Sequence, residues 1–289
     1  MISVIIINFL QEDLVTQCVR SIFENVKSCS FEVIVVNNSP QQKLTEITKE
    51  FPAASIIENE NNGFSQANNL AASHAKGKYL LFLNGDTIFK NDFFAALENE
   101  VKDLVFGAIG LKLYNPDGTF QLSFWKENNF SNEIKNKKEE KLFAERNSEH
   151  IRKVEIAYSE LKEVEWVTGA SLFIEKDRFN EINGFDENFF LFYEDADICQ
   201  RLRKKGYKLY FYPRSDIIHL KGVNANSSFE SSTYYFSKDS QILYYKKHNS
   251  FFNRFLLRSY LLVKFFLLWV TSFKYINLKI FLRAAGIKS

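Results

Sequence analysis

Short apolar runs alternate with amphipathic stretches over about the first hundred residues of the chain. The runs that predict buried strands are rich in Val and Ile and cover residues 2–8, 31–36, 54–58 and 79–83. Between them, apolar residues recur every three to four positions and predict helices over residues 14–26, 41–51, 64–75 and 91–102. Strands that alternate with helices of about ten to fifteen residues form βαβ units. The pattern therefore predicts an α/β fold with a Rossmann-like, mostly parallel sheet flanked by helices.

The second half of the chain departs from this regular alternation. The sequence Asn115-Pro116-Asp117-Gly118 has the composition of a tight turn and predicts a hairpin. Residues 126–165 are rich in Lys, Glu and Asn and predict an exposed helical insertion or lid. We therefore predict one domain over residues 1–240, with halves 1–112 and 113–240, and a helical tail over residues 241–289.

Polar clusters follow the predicted strands at their carboxyl ends. They comprise Asn8, Asn37 with Asn38, residues 59–62 and residues 84–86. Turn chemistry alone enriches Asn and Asp at such positions, but four clusters at one edge of one sheet favour a ligand site. No G-x-G-x-x-G follows the first strand and no G-x-x-x-x-G-K-[ST] occurs, which disfavours a dinucleotide dehydrogenase and a P-loop enzyme.

A later helix carries the densest group of acids. It is predicted to start near Asp195 and to end at Gly206, a residue suited to a left-handed cap. Asp195 shares one stripe of this helix with Ile198, Cys199 and Leu202, which is the stripe expected to face the core. Burial of a carboxylate raises its proton affinity. The pattern therefore predicts an inward Asp195 with a raised pKa.

Two other acids and one histidine accompany Asp195. Glu194 and Asp197 lie in the first turn, where favourable interaction with the helix dipole is a sufficient explanation for them. His219 ends an apolar strand, so it is either a buried core histidine or part of a site. The helix dipole does not explain the inward position of Asp195.

Composition describes an ordinary globular protein. Hydrophobic residues make up 46% of the 289-residue chain and charged residues 25%. The three cysteines have no metal-ligand spacing, which favours reduced thiols in the cytoplasm. The first residues lack the basic region and cleavage site of a secretory signal, so we expect none.

Positive charge is concentrated at the end of the chain. No acid follows Asp239, while nine basic residues do, so the end carries +9 and residues 1–239 carry −7. These basic residues are Lys246, Lys247, Arg254, Arg258, Lys264, Lys274, Lys279, Arg283 and Lys288. A basic segment of this kind favours an anionic surface.

The same segment is rich in Phe, Leu and Trp. A spanning helix needs about 20 mainly apolar residues, and the longest charge-free run covers only residues 265–273. In one continuous helix, Arg254, Arg258, Lys279 and Arg283 would share a face. We therefore predict a helix that lies in the membrane interface, at the inner face of the cytoplasmic membrane. The alternative is that its aromatic residues pack on the main domain.

Seven motifs, in this order, resemble those of the family 2 inverting glycosyltransferases and, among these, the bacterial rhamnosyltransferase-like branch. They read VIIINF, VVNNS, NNGFSQANN, LFLNGDT, WVTGASLFI, GFDENFFLFYEDADICQRLRKKGY and DIIHLKG. Each is weak alone, but the ordered set over roughly residues 1–225 is specific. The resemblance implies the GT-A fold, with a nucleotide-sugar half over 1–112 and an acceptor and catalytic half over 113–240.

The resemblance also assigns a donor side. Asp86 matches the last acid of the Asp-x-Asp element that binds Mg²⁺ or Mn²⁺ on the donor diphosphate, but here Asn84 replaces the first acid. His219 matches a histidine that joins the metal or contacts the diphosphate. Asn37 stands where the family has an Asp that accepts the pyrimidine N3–H, a bond that an amide oxygen can also accept. The other nucleotide-side positions match Asn8, Asn61, Gly63, Asn69 and Asn84.

On the acceptor side, Asp195 matches the catalytic base. Trp166 and Gly169 match the wall of the acceptor pocket. Glu194 and Asp197 are expected to bind acceptor hydroxyls, to orient the helix or, for Asp197, to pair with the residue one turn later. One base and a direct displacement imply inversion at the anomeric carbon.

The predicted function is an inverting, metal-dependent glycosyltransferase, or hexosyltransferase, of polysaccharide biosynthesis. It would take a dTDP- or UDP-sugar, with L-rhamnose as the candidate sugar, and a glycan or lipid-linked saccharide as acceptor; no nucleic acid is expected as a partner. A catalytically silent nucleotide-sugar or glycan-binding module is the first alternative. A nucleotidyltransferase is the second, disfavoured because no Gly-rich basic loop follows the first strand.

Overall fold

The computed structural model describes residues 1–220 and 227–287 of the chain. The strands are β1 (Ile2–Asn8), β2 (Phe31–Asn37), β3 (Ser55–Glu58), β4 (Tyr79–Asn84), β5 (Thr87–Phe89), β6 (Phe106–Tyr114), β7 (Phe120–Gln121), β8 (Phe124–Trp125), β9 (Lys162–Val164), β10 (Trp166–Val167), β11 (Ser171–Glu175) and β12 (Lys208–His219). The helices are α1 (Glu12–Asn25), α2 (Thr45–Glu50), α3 (Phe64–His74), α4 (Phe94–Val101), α5 (Phe130–Ala144), α6 (Ser148–Ala157), α7 (Lys176–Glu181), α8 (Glu194–Lys204), α9 (Ser227–His248), α10 (Phe251–Ser272) and α11 (Tyr275–Ala285). Lys221 of the last motif and Lys288 of the tail lie outside the described residues.

The main sheet confirms the predicted α/β architecture. Its strand order is β3-β2-β1-β4-β11-β6-β12-β5. The first four strands of this order are parallel, as are β6 and β12. β11 runs antiparallel to both β4 and β6. The direction of β11 depends on the path of the chain around the charged insertion, which local periodicity does not reveal.

Helices cover both faces of the sheet. Ile5 belongs to the same buried cluster as Ala67 and Ala71 of α3, whereas its neighbour Ile6 belongs to the cluster that contains Val15 and Val19 of α1. Successive residues of a strand point to opposite faces, so a continuous apolar run such as β1 fits a strand covered on both sides. All three cysteines are unpaired, as expected.

Most predicted elements are present with shorter ends. The predicted helix over 41–51 is α2, and the one over 91–102 is α4, which begins at Phe94 after the Asp92 side chain accepts the Phe94 N–H at 3.3 Å. The predicted hairpin joins β6 to β7, with Leu113 opposite Gln121. The insertion forms α5, α6 and β9. More than half of its residues are exposed, whereas Glu133 is buried.

The end of the chain forms three helices, not one continuous helix. α10 ends at Phe273, which adopts a positive φ of 51°, and Lys274 is extended before α11 begins. The Asn277 side chain then donates to Ser272 Oγ at 3.0 Å, and α11 folds back along α10. The predicted single basic face is therefore wrong: Arg254 and Arg258 lie on α10, and Lys279 and Arg283 lie on α11. The predicted boundary between residues 240 and 241 lies inside α9.

α10 divides into a buried stripe and an exposed one. Leu257, Leu261 and Phe265, one turn apart, are buried against the helices around them, as in the packing alternative. Most of the other large apolar residues are exposed, with Phe251 77% and Val263 63% accessible, whereas Leu256, Leu262 and Trp269 are half-buried. By length and composition α10 is also sufficient to cross a membrane, and no other helix in the described part of the chain is.

Candidate active site

Asp195 lies at the start of α8, in the wall of a cavity of about 240 Å³. The turn that leads into α8 is strained, because Phe192 and Tyr193 both have positive φ, 68° and 65°. Such a conformation costs on the order of 1 kcal/mol or more for a residue with a side chain and persists only where packing enforces it. Here it brings the first two residues of α8, Glu194 and Asp195, into the wall of the cavity.

The Asp195 carboxylate is fixed by backbone donors. Oδ2 accepts the N–H of Gly169 at 2.9 Å, and Oδ1 accepts the N–H of Ala196 at 2.7 Å. A Cβ at residue 169 would lie 3.2 Å from the Asp195 Cβ, so glycine permits this close approach. Burial raises the pKa of Asp195 above its ordinary value, although the N–H groups of Gly169 and Ala196 oppose the rise. The predicted increase in proton affinity is confirmed, and it suits a general base.

Glu194 is the more deeply buried neighbour. Glu194 is only 6% exposed, and its Oε2 has no hydrogen-bond partner within the described residues. Burial and the nearby charge of Asp195 raise the pKa of Glu194 well above its ordinary value. Because backbone donors stabilise the ionised form of Asp195, Glu194 is the member of the pair that retains a proton. A neutral Glu194 can donate a hydrogen bond into the cavity.

Asp197 is not available to an acceptor. It is 0% exposed, and its carboxylate accepts hydrogen bonds from Arg201 Nε at 2.7 Å, Lys247 Nζ at 2.6 Å and His248 Nε2 at 2.7 Å. The predicted pairing with Arg201 is present, but the predicted acceptor contact is wrong. The reason is tertiary: the end of α9 covers this side of α8 and encloses the carboxylate.

Asp86 and His219 meet across two paired strands. Asp86 follows β4 in the turn to β5, and Thr87 of β5 lies opposite His219 of β12. Asp86 is 7% exposed, and its Oδ1 lies 3.3 Å from His219 Nε2. Asn84 Nδ2 lies 3.3 Å from the same nitrogen. The structure therefore places Asn84, Asp86 and His219 together at the carboxyl end of β4.

Gln121 determines the orientation of the His219 ring. The Gln121 amide nitrogen donates to the His219 carbonyl at 2.7 Å and to Asn115 Oδ1 at 2.9 Å, so its Oε1 is the atom that faces His219 Nδ1, at 2.9 Å. An amide oxygen can only accept, so Nδ1 carries the hydrogen. In neutral His219, Nε2 is then an acceptor that Asn84 Nδ2 can donate to at 3.3 Å, and its lone pair is the one with which histidine binds metals.

Asp86 and His219 have side chains that fit a divalent cation. The described residues contain no group of three His, Cys, Asp or Glu able to hold a metal. Asp86 supplies one carboxylate and His219 one imidazole, and oxygen ligands from a diphosphate and water would complete the shell that Mg²⁺ or Mn²⁺ prefers. Because Asn84 stands in place of an acid, the protein supplies few metal ligands, and more coordination positions remain for phosphate oxygens.

A short path of contacts connects the Asp195 side with the Asp86 side. Gly169, which holds the Asp195 carboxylate, precedes Ala170, and the Ala170 carbonyl accepts the N–H of Asn84 at 3.0 Å. Asn84 in turn contacts His219, the neighbour of Asp86. The acid of the late helix and the acid after the fourth strand therefore border one edge of the sheet.

The first nucleotide-side residues are less accessible than expected. Asn37 Oδ1 accepts from Asn8 Nδ2 at 2.9 Å and from the Ser39 N–H at 3.1 Å, while Asn37 Nδ2 donates to Glu58 Oε2 and the Gln42 carbonyl, both at 2.8 Å. Asn8 and Asn37 are fully buried and are opposite each other in the β1–β2 register. The prediction that the Asn37 oxygen accepts a pyrimidine N3–H is therefore corrected. Glu58, at the end of β3, presents an exposed carboxylate at this edge.

The predicted nucleotide-side residues around the start of α3 also make contacts within the protein. Asn61 Oδ1 accepts the Gly63 N–H at 3.3 Å, and Gly63 has a φ of 105° with no space for a side chain beside Phe190. Asn69 donates to the Phe185 carbonyl and accepts the Phe185 N–H, both at 2.9 Å. Since these bonds use both ends of its amide, Asn69 joins α3 to the loop before α8, and its nucleotide contact stays a prediction.

The sequence did not indicate three residues near the site. Gln121 lies in a short strand with no distinguishing pattern, and Lys238 lies in α9 ahead of the helical tail predicted over residues 241–289. Glu133 lies in the insertion, which was predicted to be solvated, yet its carboxylate accepts from Tyr193 at 3.1 Å and from Gln241. The proximity of these residues depends on distant segments, so only the tertiary structure could reveal them.

Comparison with known proteins gives two family matches. A model described as Glycosyl transferase family 2 matches residues 3–155, more than half of the chain. A model described as N-terminal domain of galactosyltransferase matches residues 152–223.

Individual relatives and a solved structure agree with these matches. The chain is 26% identical to rhamnosyltransferase WbbL of Escherichia coli K12 over 263 residues, 88% of this chain and 96% of that protein. It is 30% identical to N-acetylglucosaminyl-diphospho-decaprenol L-rhamnosyltransferase of Mycobacterium tuberculosis over 83 residues, 26% of this chain and 27% of that protein. The fold is similar to mannosyltransferase PcManGT of Pyrobaculum calidifontis with GDP-Man and Mn²⁺, with a TM-score of 0.56 at 14% identity, over 85% of this chain and 63% of that one. This likeness confirms the expected GT-A fold.

Proposed function

Because this chain belongs to glycosyl transferase family 2, we propose that it is an inverting, metal-dependent enzyme that moves a sugar from a nucleoside diphosphate to an acceptor hydroxyl. The observation that carries the proposal is the path of contacts from Asp195 through Gly169 and Asn84 to His219 and Asp86. This path joins a cavity that contains a basic carboxylate to a pair of side chains suited to a diphosphate and its cation.

Asp195 is the proposed general base. The acceptor hydroxyl gives its proton to Asp195 while its oxygen forms the new bond to the anomeric carbon. The bond from that carbon to the diphosphate oxygen breaks on the opposite face, and the diphosphate takes the electron pair. A single displacement of this kind inverts the anomeric centre. A positioned base contributes about 10²–10⁴-fold to such a step.

Asp86 and His219 are the proposed protein ligands of the cation. A bound Mg²⁺ or Mn²⁺ would supply Lewis-acid stabilisation of the charge on the departing diphosphate. Gln121 holds His219 so that Nε2 is available, and Asn84 lies beside it as a hydrogen-bond donor to phosphate oxygens. The complex of the similar mannosyltransferase with GDP-Man and Mn²⁺ supports this assignment.

The donor is proposed to be a dTDP- or UDP-sugar, with L-rhamnose as the transferred sugar. The names of the two rhamnosyltransferases similar to this chain support that choice. The acceptor is proposed to be a growing cell-surface glycan or a lipid-linked saccharide, because one of those names contains a diphospho-decaprenol. Glu194 and Trp166 line the cavity beside Asp195 and would contact the acceptor sugar.

The enzyme is proposed to work in the cytoplasm at the inner face of the cytoplasmic membrane. The exposed stripe of α10 presents large apolar side chains that water does not favour, among them Phe251, Phe255 and Val263. The opposite stripe packs on the domain, so crossing the bilayer would require α10 to leave these contacts. An α10 that lies in the interface keeps both sets of contacts.

A panel of nucleotide sugars, incubated with and without Mn²⁺ and an excess of chelator, tests the proposal. We expect metal-dependent release of nucleoside diphosphate from one sugar class, and NMR of the transfer product should show the inverted anomeric configuration. If the protein binds a nucleotide sugar but never turns it over, it is instead the catalytically silent binding module. That alternative is tested because Asn84 replaces an acid of the family's metal-binding element.

A further inference from the structure

The cavity beside Asp195 is closed by segments outside the predicted catalytic motifs. The α8 side contributes Trp166, Phe192, Tyr193, Glu194 and Asp195, whereas α5 and α9 contribute the other wall. Residues of that wall are Glu133, Asn136, Lys137, Glu140, Ser237, Lys238 and Gln241, with Asn128 before α5. The wall formed by α5 and α9 is therefore a separate binding surface that faces the proposed base.

Hydrogen bonds connect the two walls in a continuous series. Tyr193, at the start of α8, donates to Glu133 Oε1 at 3.1 Å, and Gln241 donates to Glu133 Oε2. Lys238 Nζ then donates to Gln241 Oε1 at 3.2 Å. Because Glu133 is buried and both its oxygens accept hydrogen bonds, it fixes the distance between the base and Lys238.

Lys238 is a cation without a matched anion. Its described contacts are the Gln241 amide and the ring of Tyr234, whose centroid is 5.6 Å from Nζ, and it forms no ion pair with a described carboxylate. Burial and the positive charges of Lys137 and Lys264 lower the pKa of Lys238 to about 8, although Glu133 opposes this change. An anion bound at this position would relieve the repulsion.

The three lysines come from three different helices. Lys137 lies on α5, Lys238 on α9 and Lys264 on α10, and these helices meet through rings such as Phe130 with Tyr260. Glu140 also lines this wall from α5, one turn from Lys137. Lys264 is flanked on α10 by the exposed apolar residues Val263 and Leu267. Lys137 and Lys238 therefore place positive charge in the cavity wall, and Lys264 places it beside the apolar stripe of α10.

We propose that Lys137 and Lys238, which line the cavity, bind the phosphate groups that join the acceptor sugar to its lipid. This inference rests on the proposed function and specifies its acceptor as a phosphate-linked lipid saccharide. The terminal sugar occupies the cavity next to Asp195, the phosphates contact the lysines, and the hydrocarbon chain follows the exposed stripe of α10. Glu194, buried and with an unpartnered Oε2, contacts a sugar hydroxyl at the inner end.

Equilibrium binding of farnesyl diphosphate to the full-length protein tests the subsite without any sugar transfer. Quenching of tryptophan fluorescence gives the signal, since Trp166 lines the cavity and its ring centroid lies 4.7 Å from that of Trp125. We expect Lys238→Met to weaken binding about tenfold or more, because a charge-assisted bond to a phosphate is lost. Lys238→Arg should retain most of the affinity, and farnesol should bind both proteins equally weakly.

Matched variants distinguish binding at this subsite from nonspecific electrostatic attraction to the basic protein surface. Lys137→Met should weaken farnesyl diphosphate binding, whereas Lys138→Met, the next residue on α5 and absent from the cavity wall, should not. Vesicles of phosphatidylglycerol should bind Lys238→Met and the unchanged protein alike. Equal affinity of the Lys238 variants for farnesyl diphosphate would overturn the inference, as would a selective loss of vesicle binding.

Kinetics distinguish failure of this inference from failure of the proposed function. With a sugar on prenyl diphosphate, Lys238→Met should raise KM about tenfold, and with the same sugar as a neutral octyl glycoside KM should not change. The same increase with both acceptors would overturn the inference and leave the enzyme assignment standing. Lysine-dependent binding of farnesyl diphosphate without any transfer would support the subsite and overturn the enzyme assignment.

Discussion

The Asp197 carboxylate accepts a hydrogen bond from His248 Nε2 at 2.7 Å, and this contact joins α8 to the last turn of α9. Lys247 and Arg201 complete the set of donors around the same buried carboxylate. Asp195, two residues earlier, lies instead in the cavity wall. Asp197 therefore stabilises the packing of α8 on α9, whereas Asp195, on the same helix, is the proposed base.

Asp197→Asn should strongly destabilise the fold. The change leaves three cationic or polar donors around a neutral amide in a buried position, and breaking a buried charge pair costs about 3–5 kcal/mol. Urea unfolding should show a lower midpoint with an unchanged slope. Asp103→Asn, at an exposed position, serves as the control and should leave the midpoint unchanged. Equal midpoints for the two variants would contradict the anchoring role of Asp197.

Stability should fall in acid because of the same group. Burial alone would raise the pKa of Asp197, but the His248 hydrogen bond and the charges of Arg201 and Lys247 outweigh it and lower the pKa to about 2. A lowered folded-state pKa stabilises the protein above about pH 4, and this contribution of roughly 2 kcal/mol disappears as the pH falls toward 2. Unfolding free energies measured from pH 7 to pH 2.5 should show this loss, and the slope should be smaller in Asp197→Asn.

Asp195→Asn should abolish sugar transfer while nucleotide binding remains. An amide cannot take the acceptor proton, so kcat should fall by about 10²–10⁴-fold. Calorimetric binding of the nucleoside diphosphate should be unchanged. Glu194→Gln is the matched neighbour: if Glu194 is neutral, the variant should retain most of its activity. If Glu194→Gln were as inactive as Asp195→Asn, the assignment of Asp195 rather than Glu194 as the base would be contradicted.

Gln121→Leu should weaken cation binding by about 10–100-fold, the usual effect of losing the partner that orients a metal-binding histidine. The free Mn²⁺ signal in electron paramagnetic resonance, recorded with nucleoside diphosphate present, measures this directly. Gln121→Glu keeps an acceptor for His219 Nδ1 and should restore affinity, and His74→Gln on the exposed side of α3 should have no effect. Unchanged Mn²⁺ affinity in Gln121→Leu would remove His219 from the proposed ligand set.

Replacing Val263 and Leu267 on α10 by Glu should release the protein from membranes. Both residues are exposed, at 63% and 57%, so the change does not disturb the buried stripe. Transfer of charged groups into the interface opposes binding. Flotation with vesicles should show the variant in the unbound fraction. Val105→Glu, at a 69% exposed position before β6, is the control, and co-flotation of both variants would refute interfacial binding by α10.

The sequence alone determined the alternation of strands and helices and the edge of the sheet that carries the polar clusters. Periods of about 2 and 3.6 residues report which face of an element is buried, because they follow from the geometry of the backbone. The polar residues after β1, β2, β3 and β4 therefore share one edge, and Asp195 was expected near it with a raised pKa. The ordered motifs also indicated the family that the match over residues 3–155 shows.

Only the tertiary structure decided which partner each buried polar group has. Asn37 and Asn8 bond to each other, Asn69 bonds to Phe185, and Asp197 is enclosed by α9. The predicted continuous helix of the tail likewise breaks at Phe273, between α10 and α11. Periodicity specifies the face of a residue but not the segment that covers it, since the covering segment is often more than a hundred residues away in the chain. The cavity between α5, α8 and α9 is the product of such distant contacts.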